Sequence, residues 1–242
     1  MNNYVSMDSK IPSVQNLIGG QTEIGNVKCY VSYPKTDTDT TVIIVTSKRH
    51  QFPRNLSDLY ASQSGYLCVL PDLETEFLIS QTPVNSQPNI DNEIWSHSWK
   101  AAGGLIHQIL HQKPTYSSRP LKTVINSLKI AHGVQHILLV GCTDTETLCI
   151  KIAQEEEMVD AVFLHDPTNV TIESYFQNIE KPIYIHLNAD NEQYAEMYNI
   201  MINKPINPFG DLIQWSVQNE TSNQTFFEKS IQFFTDQLMI KV

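Results

Sequence analysis

The sequence predicts an α/β protein with a mostly parallel central sheet flanked by helices, and three observations carry that prediction. First, short apolar runs alternate with segments whose apolar residues recur every three or four positions, the order that builds parallel strands joined by crossover helices. Second, runs such as "TTVIIVT" at 40–46 and "HILLVG" at 136–141 are continuously apolar, as strands covered on both faces must be. Third, the chain has no internal repeat and no linker rich in Gly or Ser. One domain over 1–242 is therefore expected, with 1–24 as an N-terminal extension or edge.

The elements follow in order. "GNVKCYVSYP" at 25–34 alternates and stops at proline, the pattern of an antiparallel edge strand. After the buried strand at 40–46, "NLSDLYASQS" at 55–64 reads as a helix that Gly65 ends. "YLCVLPDL" at 66–73 is the next strand, and the polar "ETEFLISQTPVNSQPNIDN" after it is an excursion over the surface. Helical spacing returns at 94–112, broken by Gly103-Gly104, and at 120–133. The strand at 136–141, a helix at 147–157 and strands at 160–167, 181–190 and 212–219 come next. "NQTFFEKSIQFFTDQLMI" at 223–240 closes the pattern as an amphipathic helix.

Bulk properties exclude several function classes. A chain of 242 residues with 41% hydrophobic and 17% charged residues is globular rather than disordered. Its net charge of -10, from 16 basic and 26 acidic residues, argues against a nucleic-acid partner, because phosphate binding needs clustered Lys and Arg. No apolar run approaches the ~18 residues of a membrane span, and the N-terminal residues lack the signature of a targeting peptide. A soluble, cytoplasmic protein is expected. Cys29, Cys68, Cys142 and Cys149 are scattered without a CxxC pair, so neither a zinc ribbon nor a disulfide framework is suggested. Neither a P-loop nor GxGxxG is present, and no cofactor or metal is expected.

In their order and spacing these landmarks resemble the dienelactone hydrolases of the α/β-hydrolase fold. The resemblance runs from "KCYVSYP" through "TVIIVTSKRHQF", "NLSDLYASQSGY", the strand ending "VLPDL", "HILLVG" with its following turn, "AVFLHDP" and "KPIYIHLNAD" to the last helix. It covers nearly the whole chain. The implied chemistry is hydrolysis of a carboxylic ester or lactone by a nucleophile, an acid and a histidine, in that chain order.

The implied site is degenerate. The family's Gly-x-Ser/Cys-x-Gly turn falls on Gly141-Cys142-Thr143-Asp144-Thr145, so Thr143 stands at the nucleophile position and Thr145 replaces the second glycine. A β-branched residue is disfavoured in the positive-φ conformation that such an elbow demands. Cys142 is the alternative nucleophile, against the plainer reading of a packed thiol. Asp190 matches the acid position, although an Asp at a strand end is also an ordinary helix cap.

The histidine belongs on the loop between the last strand and the last helix. Here that loop is "VQNETSNQTF", with none, and no histidine follows His186. Without an imidazole a hydroxyl or thiol loses a ~10²- to 10⁴-fold contribution from acid-base catalysis, and Glu220 nearby is a poor substitute. His107 and His111, at i and i+4, lack the intervening Glu of a metalloprotease motif. "SKRHQF" could hold an anion, and "HDP" at 165–167 matches a structural turn of the family.

The resulting expectation is a catalytically inactive dienelactone-hydrolase-like protein that acts as a structural or protein-interaction module. Its alternative is an active hydrolase of small esters or lactones with a non-standard nucleophile. The polar excursion, Trp95, Trp99 and the run Glu155-Glu156-Glu157 offer surfaces to a protein partner. Polar termini fray unless held, which directs the expectation of location toward a large cytoskeletal or ciliary assembly.

Overall fold

The structure is a computed structural model that describes residues 18–46, 51–73, 117–142, 145–155, 157–167, 179, 181–188, 213–218 and 223–239. Its strands are β1 (Gly20–Ile24), β2 (Val27–Ser32), β3 (Thr40–Val45), β4 (Leu67–Pro71), β5 (His136–Cys142), β6 (Ala161–His165), β7 (Ile183–Asn188) and β8 (Ile213–Gln218). Its helices are α1 (Gln51–Leu59), which passes into a wide π turn (Tyr60–Ser64), α2 (Arg119–His132), α3 (Glu146–Ala153) and α4 (Asn223–Met239). The expected helix at 94–112 and the excursion after β4 lie outside the described residues.

The strands form one sheet in the order β1-β2-β4-β3-β5-β6-β7-β8. β2 runs antiparallel to both β1 and β4, and every pairing from β4 to β8 is parallel. The α/β architecture expected from the sequence is therefore present. One expectation is corrected: β2 is antiparallel but not an edge, because β1 pairs along its outer side. β1, "GQTEI", is exposed at four of five positions, so it carries no apolar signal to betray it.

The parallel strands alternate their side chains between two apolar layers. Ile137 and Leu139 of β5 join Ile43, Val45, Val162, Leu164 and Ile185 against α2 and α3. Leu138, Val140 and Cys142 point the other way and join Val42, Ile44 and Phe163 against α1 and α4. Burial on both faces is what the continuous apolar runs encode. On α4, Phe226, Phe227, Ser230, Phe233 and Phe234 form the buried stripe, spaced at one helical face. The Tyr60 hydroxyl in the π turn meets the Ser230 hydroxyl, joining α1 to α4.

Local signals set the helix ends. Gly65 ends the π turn at φ 74° and Gly133 ends α2 at φ 67°, both left-handed. α1 begins four residues before the sequence expectation, across Pro53, which a first helical turn tolerates because its N–H needs no intrahelical acceptor. α3 stops at Ala153, short of the acidic run. Glu155 of that run pairs with Lys122 at 2.5 Å, and the Glu157 carbonyl accepts from the Lys129 ammonium. Two of the three acidic positions thus face lysines of α2, contacts of small energetic worth at a surface.

Candidate active site

The order in which parallel strands are added reverses at β3: β4 lies on one side of β3 and β5 on the other. In open α/β sheets ligands bind outside the carboxyl ends of strands at such a point. Val45 ends β3 there, opposite Gly141, and Cys142 ends β5. Cys142, the residue before the expected nucleophile position, therefore ends its strand at the switch in strand order.

Gly141 is small for a packing reason. A Cβ on it would lie 2.7 Å from Cys149 Sγ on α3 and 3.0 Å from Leu164 Cδ2 on β6. Gly141→Ala is expected to cost about 1–3 kcal/mol by overpacking, and Cys149→Ala in the same chain should recover most of it. Urea denaturation of the single and double variants checks this; equal loss in both would remove the steric explanation.

Four residues on, Thr145 does what a glycine cannot. Its side chain is fully buried, and its hydroxyl donates to the Val45 carbonyl at 2.9 Å and accepts from the Cys142 N–H at 3.2 Å. The Cys142 carbonyl is also close, at 3.1 Å. The threonine side chain thus ties the ends of β3 and β5 together. Thr145→Val, which keeps the shape and removes the hydroxyl, should lose roughly 1–3 kcal/mol because buried backbone groups lose a partner. A denaturation midpoint unchanged from wild type would contradict that role.

Thr143 and Asp190, the residues matching the family's nucleophile and acid, lie outside the described residues, as do Glu220, His107, His111 and residues 47–50 of "SKRHQF". Cys142 is described and buried, with 7% of its surface exposed, in the apolar layer beside Phe163. All four cysteines are free and buried. Burial pushes the Cys29 and Cys68 thiols up to about 12 and raises Cys149 well above its ordinary value. Those three behave as the small hydrophobes that the sequence suggests.

Two described histidines sit in one row across the sheet. Cys142, His165, His186 and Ser216 are register partners on β5, β6, β7 and β8, two rows beyond Val140, Phe163, Tyr184 and Gln214 and on the same face. Neighbours in register share a face, here the face that α4 covers. His165 lies flat on Phe226, with ring centroids 4.2 Å apart and planes 15° apart, and stacks on His186 at 5.6 Å. Its Nδ1 is buried without a hydrogen-bond partner, and desolvation lowers its pKa from 6.5 to about 4. His186 Nδ1 is 2.9 Å from Ser216 Oγ, which also accepts from Lys229 Nζ of α4 at 3.2 Å.

"HDP" at 165–167 is thus a packed strand end followed by a turn: Asp166 takes φ 48°, a left-handed value Asp tolerates, and its N–H reaches the His186 carbonyl. The trio His186, Ser216 and Lys229 escapes sequence reading. Ser216 sits in an alternating strand and Lys229 in an amphipathic helix; strand register sets Ser216 beside His186, and the packing of α4 on the sheet brings Lys229 to it.

Comparison with known proteins places this geometry in a class. No protein-family model and no curated protein matches the sequence. Among solved structures, a protein from Klebsiella pneumoniae named as a dienelactone hydrolase superposes with a TM-score of 0.57 at 15% identity, covering 91% of this chain and 97% of that one. Proline iminopeptidase from Mycobacterium smegmatis gives 0.57 at 9% identity, with 93% and 100% covered. Esterase 2 from Thermogutta terrifontis gives 0.52 at 10% identity, with 93% and 96% covered. The chain has a dienelactone-hydrolase-like α/β-hydrolase fold. At these identities the likeness is one of fold, and function has to be argued from the site.

Proposed function

We propose that this chain is a non-hydrolytic protein-binding module on a dienelactone-hydrolase scaffold. The observation that carries this reading is Thr145. Where the family's turn needs a residue without a side chain, this chain places a buried hydroxyl that ties Val45 to Cys142. Two further features support it. Only Asn219, Glu220, Thr221 and Ser222 separate β8 from α4, and none supplies an imidazole. His165 and His186, the imidazoles at the neighbouring strand ends, are engaged with Phe226 and Ser216. A protein partner is inferred from the polar excursion at 74–92 and from Trp95 and Trp99 after it, since Trp anchors are enriched at interfaces.

Among the described residues no helix is long and apolar enough to cross a membrane. The test is intact-mass analysis of the folded chain after exposure to a fluorophosphonate and, separately, to iodoacetamide. Neither adduct is expected at Thr143 or Cys142 before denaturation. Stoichiometric labelling of either residue, removed by Thr143→Ala or Cys142→Ala, would establish the alternative of an active hydrolase.

A further inference from the structure

The Lys229 ammonium has three N–H donors, and among the described residues its one hydrogen bond goes to the Ser216 hydroxyl. No described carboxylate lies within ion-pair distance of it; the two ion pairs among described side chains join Lys122 to Glu155 and His136 to Asp160. In a chain of net charge -10, a half-buried cation directed at a neutral hydroxyl rather than an acid stands out. Burying a cation without an opposing charge is costly unless something supplies one.

Its surroundings favour an anion. The first turn of α4, which carries Phe226 onto His165, brings the positive end of a 17-residue helix to the same edge of the sheet. Beside His186 in the row, His165 keeps a buried Nδ1 without a partner. The row lies at the carboxyl ends of the strands, on the face toward α4. We infer that Lys229, Ser216 and His186 form a binding site for a small oxyanion, a carboxylate or a phosphate group. This site is independent of whether the elbow hydrolyses esters.

The hydrogen-bond pattern supplies a signature. Lys229 can only donate, so Ser216 accepts from it; in the tautomer where Ser216 gives its own hydrogen to His186, the Nδ1 is unprotonated. An oxyanion on Lys229 claims the Ser216 hydrogen. His186 answers by carrying its ring proton on Nδ1 instead of Nε2, donating to Ser216 Oγ, with no net proton gained or lost.

The experiment is ¹⁵N NMR of the full chain at neutral pH, titrated with inorganic phosphate and, in a second arm, with acetate, each against chloride at equal ionic strength. Saturable binding is expected with a Kd on the order of millimolar, together with movement of the His186 Nδ1 resonance from its unprotonated to its protonated range. The tighter arm identifies the oxyanion. Lys229→Gln, on a half-exposed helix position, should weaken binding roughly tenfold or more, and Lys229→Arg should retain it. Binding by chloride as strong as by either oxyanion, unchanged affinity in Lys229→Gln, or an unmoved His186 Nδ1 resonance would overturn the assignment.

Discussion

Asp58→Ala is expected to destabilise the fold by at least about 3 kcal/mol, the largest effect of any single substitution considered for this chain. The carboxylate is fully buried in α1 and gathers donors from three directions. The backbone N–H groups of Ile18 and Gly19 reach it at 3.0 and 3.1 Å, the Tyr30 hydroxyl at 2.9 Å and the Ser32 hydroxyl at 2.5 Å. Ser57 beside it meets the Ser32 hydroxyl at 3.0 Å, and Arg54 lies over the Tyr30 ring at 5.4 Å. One side chain thus holds the start of β1, the middle of β2 and α1 together.

Removing Asp58 strands those donors in a dry setting, each at a cost of about 1–3 kcal/mol where water cannot replace the acceptor. The same burial, with the carboxylate beside it, holds the Tyr30 phenol up at about 12. Asp58→Ala should therefore also let the Tyr30 phenol ionise at lower pH. Chemical denaturation with an absorbance titration of the tyrosines checks both. A loss under about 1 kcal/mol would mean that water enters and replaces the carboxylate.

Acidification from pH 6.5 to pH 4 should remove about 3 kcal/mol of stability through His165. In the folded state burial holds its pKa at about 4, against 6.5 ordinarily. Between those values the unfolded chain takes up a proton that the folded chain refuses, so stability rises with pH across the window. The contribution is fully present above about 6.5, falls by about 1.4 kcal/mol for each pH unit below it, and levels off below about 4.

The physical cause is the packing of a neutral ring against Phe226 of α4: an imidazolium in place of the stacked imidazole would put a charge in a desolvated layer. His165→Phe keeps the flat stack, removes the unpartnered Nδ1, and should abolish this slope while leaving stability at pH 7 equal or higher. Urea midpoints of both proteins from pH 4 to 8 decide it. Parallel profiles for wild type and variant would show that the acid sensitivity arises elsewhere.

What the sequence revealed, and what it hid, follows from the range of the interactions. Val42 to Val45 and Ile137 to Val140 announce buried parallel strands because both faces of each strand are apolar, a property written in consecutive letters. β1 escaped because an exposed edge strand needs only its backbone to pair, and "GQTEI" has no apolar alternation to show. The helix expected from Asn55 starts at Gln51 instead, with Pro53 in its first turn, where a missing N–H is tolerated.

The candidate site divides the same way. Gly141, Cys142, Thr143 and Thr145 belong to one turn, so the departure from the hydrolase pattern is visible without a structure. That Thr145 uses its hydroxyl on Val45 is not visible, since β3 is a hundred residues away. His165, His186 and Ser216 are likewise joined by register and Lys229 by the packing of α4, and Asp58 reveals its role only once β1, β2 and α1 converge on it.

The central claim, that acyl transfer fails where the elbow is filled and its imidazole missing, is tested most directly by p-nitrophenyl acetate turnover. Wild type, Thr143→Ala and Cys142→Ala should release nitrophenolate at the same slow rate, no faster than a catalytically inert protein at equal concentration. Wild-type turnover well above that background, abolished by Thr143→Ala or Cys142→Ala with the fold intact, would contradict the account and make this chain an ester hydrolase.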